Sequence, residues 1–71
     1  MEFYDVQQLL KKFGTIIYTR DRLSDIDLME LDLRELYQLK LIDVDTFKHA
    51  LIALRIERER EMKKRQSVDQ E

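Results

Sequence analysis

The chain has 71 residues, which is enough for one domain with a single small core. Its charged fraction is 39%, with one glycine and no proline, and this composition favours a helical domain over a sheet or a disordered linker. The absence of cysteine excludes a disulfide framework and thiolate chemistry. The longest apolar run, Ala50 to Leu54, is too short to span a bilayer. We therefore expect a cytoplasmic protein that does not contact membranes.

The first predicted helix covers Phe3 to Phe13, because apolar residues recur there at spacings of three and four. Gly14 ends this helix, and Lys11 and Lys12 lie in its last turn, where the helix dipole favours cations. A short extended connector follows. We expect its apolar side chains to turn into the core, namely Ile16, Ile17 and Tyr18.

The second predicted helix begins at Asp21 or Ser24, both of which are suitable N-cap residues. Polar alternation around Asp32 leaves a break open there. We favour one helix that continues to about Lys40, because two short helices would each be marginally stable. Asp43 is then well placed to cap the third helix.

The third predicted helix has one face that begins apolar, with Phe47 at its centre, and becomes cationic at Arg58. We expect the bundle to end near this point and the charged residues beyond it to form a solvated helical extension. Pairs such as Glu59 with Lys63 and Glu61 with Arg65 would support that extension. The prediction is an all-α three-helix bundle over residues 1–62, with a long charged extension of the third helix and a charged flexible tail over residues 63–71.

Three segments of the chain resemble the YqgQ family of small bacterial proteins: Phe3 to Leu10, Gly14 to Tyr18, and Arg34 to Tyr37. The hairpin of the second and third helices also resembles SHOCT modules, although those carry glycine where this chain has Lys40. The YqgQ resemblance covers nearly the full length. It implies a three-helix bundle and a role in binding single-stranded nucleic acid, and it identifies no catalytic residues.

The distribution of charge agrees with a nucleic-acid role in one region. Residues 21–45 contain eight acids and three bases, whereas residues 55–65 contain six bases and three acids. A second basic group surrounds an aromatic residue that could stack on bases: Lys11, Lys12, Arg20 and Arg22 around Tyr18. We predict that this group binds single-stranded DNA or RNA. The alternative is that the lysines only cap the first helix and that Tyr18 is a core residue.

No constellation for catalysis can be read from the residues. His49 is the only histidine, and a metal site would need further ligands from elsewhere. The carboxylate pair of Asp43 and Asp45 is typical of a helix start and not of an acid and base pair. We expect no enzyme activity, no cofactor, no metal and no small-molecule substrate.

The third helix carries a second apolar row, Ile52 and Ile56, on the side away from Phe47, and this row continues a seam from Asp45 and His49 at spacings of four, three and four. If the other helices leave this row uncovered, its spacing suits helix association, and a two-fold homo-oligomer is its simplest closure. The sequence therefore predicts a non-enzymatic nucleic-acid-binding module. The alternative is an adaptor or a self-associating module that does not bind nucleic acid.

Overall fold

The computed structural model describes residues 1–69, with side chains described through residue 66. This described part of the chain forms three helices: α1 (Phe3–Lys12), α2 (Arg22–Gln38) and α3 (Val44–Asp69). This confirms the all-α three-helix bundle with a long third helix. Within residues 1–69, none of the helices combines the length and the apolar character that crossing a membrane requires.

Capping aspartates set the starts of α2 and α3. The Asp21 carboxylate accepts hydrogen bonds from the Ser24 backbone N–H at 3.2 Å and from the Ser24 hydroxyl at 2.8 Å. The Asp43 carboxylate accepts one from the Thr46 backbone N–H at 2.7 Å. Each cap satisfies donors that the first helical turn leaves unpaired. Asp43 caps α3 as predicted, and of the two candidates for α2 the cap is Asp21.

Helices α1 and α2 each end in a hydrogen-bonded turn, and the two turns are of the same type. In α1 the Thr15 N–H donates to the Leu10 carbonyl at 3.0 Å, and Gly14 lies between them with φ of 86°. In α2 the Leu41 N–H donates to the Leu36 carbonyl at 2.9 Å, and Lys40 takes the left-handed position with φ of 61°. Glycine suits that position because it has no side chain to clash, whereas lysine is strained there.

The direction of the helices follows from contacts between their ends. The Arg22 guanidinium lies 4.5 Å from the centre of the Phe3 ring, so the starts of α1 and α2 are together. The connector of residues 13–21 therefore runs back along the bundle. Helix α3 runs antiparallel to α2, since the ring of Phe47 stacks on that of Tyr37 with centroids 4.5 Å apart.

The core lies among all three helices. Its members are apolar and almost fully buried: Val6, Leu10, Ile26, Met29, Leu33, Ala50, Ala53 and Leu54. The prediction that Phe47 lies at the centre of the buried face of α3 was wrong, because Phe47 is only half-buried and the centre falls at Ala50 and Leu54. Small alanine side chains let α3 approach the other helices closely.

Helix α2 is unbroken at Asp32, where the sequence had left a break open. Asp32 is half-buried within that helix.

Ion pairs tie the charged part of α3 to α2 and its N-cap, among them the pair of Arg22 with Glu57. Arg58 pairs with Asp27, and Arg65 pairs with the capping carboxylate of Asp21. We expected a solvated extension, and these side chains do remain partly exposed while they contact α2. The predicted boundary between residues 62 and 63 lies within α3. Residues 70 and 71 lie outside the described part of the chain, so the flexibility proposed for residues 63–71 stays a prediction.

Candidate nucleic-acid interface

A polar groove of about 340 Å³ lies where the connector, the start of α2 and the charged part of α3 meet. Aromatic, basic, amide and acidic side chains line it: Gln7, Tyr18, Arg20, Arg22, Asp25, Glu61, Lys64 and Arg65. The fold thus brings Tyr18, Arg20 and Arg22 together, as the sequence predicted. It adds Lys64 and Arg65, which sequence reasoning had assigned to the tail.

Tyr18 stands out from the surface of the connector. Its side chain is 76% exposed and that of Ile16 is 79% exposed, whereas Ile17 packs against the core. The expectation that all three side chains turn inward was therefore wrong for Ile16 and Tyr18. In an extended segment successive side chains point to opposite sides, so Ile17 can be inside only if its neighbours are outside. The core alternative for Tyr18 is excluded by its exposure.

A buried carboxylate fixes the connector beside Tyr18. Asp25 on α2 is 7% exposed, and its Oδ1 accepts hydrogen bonds from the backbone N–H and the hydroxyl of Thr19, each at 2.7 Å. The Thr19 hydroxyl oxygen in turn accepts from the Asp21 N–H at 3.3 Å. Hydrogen bonds to a carboxylate are among the stronger ones in proteins. These hydrogen bonds hold Thr19 in place, and with it the residues on either side, Tyr18 with its aromatic ring and Arg20 with its positive charge.

Arg20 adopts a left-handed backbone conformation, with φ of 69°. A residue other than glycine, asparagine or aspartate takes this conformation at a cost of about 1 to 2 kcal/mol. Strained backbone of this kind clusters at functional sites, where the surrounding structure enforces it. The hydrogen bonds of Thr19 and the cap at Asp21 enforce it here, on either side of Arg20.

The bases of the groove differ in how far acids neutralise them. Arg22 pairs with Glu57, and Arg65 pairs with both Asp21 and Glu61. Among residues 1–66, Arg20 and Lys64 take part in none of the ion pairs. These two exposed cations are therefore the charges that a phosphate can reach without breaking an existing pair.

The ion pair between Arg65 and Asp21 affects both groups. The Arg65 guanidinium, followed by the hydrogen bonds from Ser24, lowers the pKa of Asp21 below its ordinary value of 3.8. The same contact raises the pKa of Arg65. Asp21 therefore stays ionised at neutral pH, where it caps α2 and holds the charged part of α3 at the edge of the groove.

The two lysines predicted with this group lie elsewhere. Lys11 lines a neighbouring cleft of about 190 Å³ with Ile16 and Met29, and Lys12 lies in a third depression near the end of α1. Eight residues separate Lys11 from Phe3, the α1 residue that contacts Arg22, and this is about 12 Å along the helix. Lys11 and Lys12 are exposed but do not line the groove.

Sequence reasoning missed Lys64, Arg65 and Asp25. A signal for Arg65 was present, because it projects on the same face of α3 as Leu54 and Arg58. Asp25 gave no signal, since a buried carboxylate and a helix-start carboxylate look alike in sequence. Among the side chains that the structure describes, those of residues 1–66, His, Asp and Glu form no group of three or more that could hold a metal ion.

The predicted association row is exposed. Ile52 is 52% exposed and Ile56 is 47% exposed, and His49 lies on the same side of α3. Helices α1 and α2 therefore cover only the opposite face, which is the condition under which the sequence predicted a seam for self-association.

Comparison with known proteins agrees with the resemblance noted from the sequence. The uncharacterised protein YqgQ of Bacillus subtilis (strain 168) is 47% identical to this chain over 57 residues, which is 80% of each chain. A profile of the YqgQ-like family matches residues 1–60. That match spans α1, the connector, α2 and most of the bundle part of α3, and so the chain belongs to the YqgQ-like family.

Proposed function

We propose that this protein is a non-enzymatic module that binds single-stranded nucleic acid through the groove beside Tyr18. The observation that supports this proposal is an exposed tyrosine ring next to two cations, Arg20 and Lys64, that are unpaired within residues 1–66. Bases of a single strand stack on aromatic rings at about 1 to 3 kcal/mol each, and this stacking tolerates any base. Basic residues beside the ring would neutralise the phosphates.

A single strand suits the groove better than a duplex does. In a duplex the bases already stack on one another, so an isolated tyrosine ring gains little from them, whereas an unpaired base can rotate onto it. The groove also contains Asp25 and Glu61, and the whole chain has a net charge of −2. We therefore expect weak binding with little sequence preference. As part of the same proposal we place the protein in the cytoplasm, since small secreted domains usually carry disulfides and this chain has no cysteine.

The experiment is a fluorescence anisotropy titration of a labelled single strand at several salt concentrations. If Arg20 and Lys64 each meet one phosphate, log K should fall with log salt at a slope of about −1.4, and recruitment of Arg22 and Arg65 would take it to about −2.8. Micromolar protein that leaves the anisotropy unchanged at low salt would refute the proposal.

Charge variants locate the contact. Lys64→Gln should weaken binding and make the salt slope shallower by about 0.7. Arg20→Asn should do the same, and asparagine tolerates the left-handed backbone at this position. Lys48→Gln is the matched control, because Lys48 is an exposed lysine on α3 about 24 Å from Lys64 along the helix. Equal losses in the control and in Lys64→Gln would show a diffuse charge effect in place of a site.

A further inference from the structure

The face of α3 that points away from the bundle carries a row of side chains at coiled-coil spacing. From Asp45 the spacings are four, three, four, three and four, and the members are Asp45, His49, Ile52, Ile56, Glu59 and Lys63. All six are exposed. Alternation of three and four is the spacing of the a and d positions of a coiled coil. The row extends over about 27 Å of helix and places its two isoleucines in the middle.

We propose that two copies of the chain pair through this row as an antiparallel dimer with two-fold symmetry. With the axis level with residue 54, Ile52 of each copy packs on Ile56 of the other. The same register sets Asp45 opposite Lys63 and His49 opposite Glu59. An a position then faces a d position in every layer, which is the packing of antiparallel coiled coils.

Charge selects the antiparallel orientation over the parallel one. In the antiparallel register the acid Asp45 lies opposite the base Lys63 in the outermost layers. In the next layers the acid Glu59 lies opposite His49. In a parallel register Asp45 would face Asp45, Glu59 would face Glu59 and Lys63 would face Lys63. Like charges in direct opposition disfavour the parallel pair, so the row discriminates between the two orientations.

The outer charges of the row are available to a second copy. None of the ion pairs among residues 1–66 involves Asp45, Glu59 or Lys63. By contrast, Arg58 and Arg65, which face the bundle, are paired with Asp27 of α2 and with its N-cap Asp21. Of the two helical pairs predicted from sequence, Glu61 with Arg65 is present, whereas Glu59 with Lys63 is absent from the ion pairs of this part of the chain.

The seam is small, so the dimer should be weak. Each copy contributes two half-exposed isoleucines, and Arg55 flanks them close to the proposed axis, where it meets its own symmetry mate. We expect a dissociation constant in the micromolar range, on the order of 1 to 100 μM, as for other small transient interfaces. Replacement of Arg55 by alanine should tighten the dimer, because it removes a pair of like charges.

Sedimentation of the full chain against concentration tests the pairing and its register. Lys63→Asp should raise the dissociation constant by about tenfold, which corresponds to about 1.4 kcal/mol. Addition of Asp45→Lys to that variant should restore it to within about threefold of the parent, since the charges are only exchanged. Monomeric parent protein at several hundred micromolar, or a double variant no tighter than the single one, would overturn the proposal.

Two further experiments test the apolar layers and the orientation. Ile52→Glu with Ile56→Glu should give a monomer with unchanged helical circular dichroism, and loss of helical signal would overturn the proposal by showing that the row supports the bundle. Because the chain has no cysteine, introduced thiols report orientation cleanly. Oxidation of mixed His49→Cys and Glu59→Cys chains should link unlike chains, and preferential linkage of like chains would contradict the antiparallel register.

Discussion

Asp25 and Thr19 are joined by two hydrogen bonds that end on the same carboxylate oxygen, one from the Thr19 backbone and one from its hydroxyl. Asp25 is the charged residue most deeply buried in the described part of the chain, and Thr19 lies between Tyr18 and Arg20. The contact therefore couples the stability of the bundle to the shape of the candidate site, because the connector has no regular secondary structure of its own to hold it.

The first prediction concerns the hydrogen bonds between Asp25 and Thr19. Asp25→Ala should lower the free energy of unfolding by about 1 to 3 kcal/mol, since it removes both hydrogen bonds from Thr19 and leaves the Thr19 backbone N–H without an acceptor, whereas the hydroxyl can still donate to the Asp21 carbonyl. It should also weaken single-strand binding by loosening Tyr18. Urea unfolding and anisotropy measure the two effects. Asp25→Asn keeps one oxygen acceptor and should lose less, and equal losses for the two variants would contradict the role assigned to that oxygen.

The second prediction concerns the matching ends of α1 and α2. Lys40→Gly should stabilise the protein by about 0.5 to 1 kcal/mol, because it relieves the left-handed strain at the end of α2. Gly14→Ala should destabilise it by about 1 kcal/mol. A Cβ at Gly14 meets no heavy atom within 4 Å, so that loss is conformational and not a steric clash. Thermal or urea unfolding of both variants in the same buffer should show shifts of opposite sign.

The third prediction ranks two residues of α3. Leu54→Ala should cost about 2 to 5 kcal/mol, because Leu54 is 1% exposed and its loss leaves a cavity. Phe47→Ala should cost less, since Phe47 is only half-buried at the edge of the core, where it also stacks on the ring of Tyr37. Chemical denaturation gives both values. A larger loss at Phe47 would show that the core is centred nearer the turn between α2 and α3.

The fourth prediction concerns the stability of the fold at low pH. Hydrogen bonds from the Thr46 side chain and backbone lower the pKa of Asp43 below its ordinary value of 3.8. A carboxyl whose pKa is lower in the folded state stabilises the fold fully at pH values above its unfolded-state pKa, and this stabilisation is lost as the pH falls through the folded-state pKa. Asp43→Asn keeps a capping oxygen without the charge. Melting temperatures measured from about pH 5 down to pH 2 should therefore fall less for the variant than for the parent, and identical falls would contradict the assignment.

The fifth prediction separates the groove from the neighbouring lysines. Lys11→Gln with Lys12→Gln should reduce single-strand affinity by less than Arg20→Asn with Lys64→Gln does, because the lysines of α1 lie outside the groove. The fold should survive, since all four side chains are exposed. Anisotropy at one low salt concentration compares the two double variants. A greater loss from the α1 lysines would move the binding surface to the end of α1.

Local signals in the sequence were sufficient for the helix ends. Gly14 and Asp43 act through their own backbone conformation and nearest neighbours, so their roles can be read without knowledge of the fold. The centre of the core was not predictable in this way. Ala50 and Ala53 carry little apolar surface of their own, and their burial depends on how closely α3 approaches the other helices.

The candidate site shows the same division. Tyr18, Arg20 and Arg22 are close in sequence, so the connector alone brings them together. Lys64 and Arg65 join them only because α3 folds back along α2, a tertiary contact made by the apolar core and extended by ion pairs of the charged side chains. From composition alone such a charged helix is predicted to be solvated. Only the packing of α2 against α3 shows where its charges lie.

Stacking on Tyr18 can be measured through the fluorescence of the residue itself. The chain contains three tyrosines and no tryptophan, so Tyr4→Phe with Tyr37→Phe leaves Tyr18 as the sole fluorophore. Titration of that variant with an unlabelled single strand should quench the tyrosine emission, with the same midpoint that anisotropy gives for a labelled strand. Emission that stays constant while the anisotropy rises, or an anisotropy that does not rise at all, would contradict binding at the groove beside Tyr18.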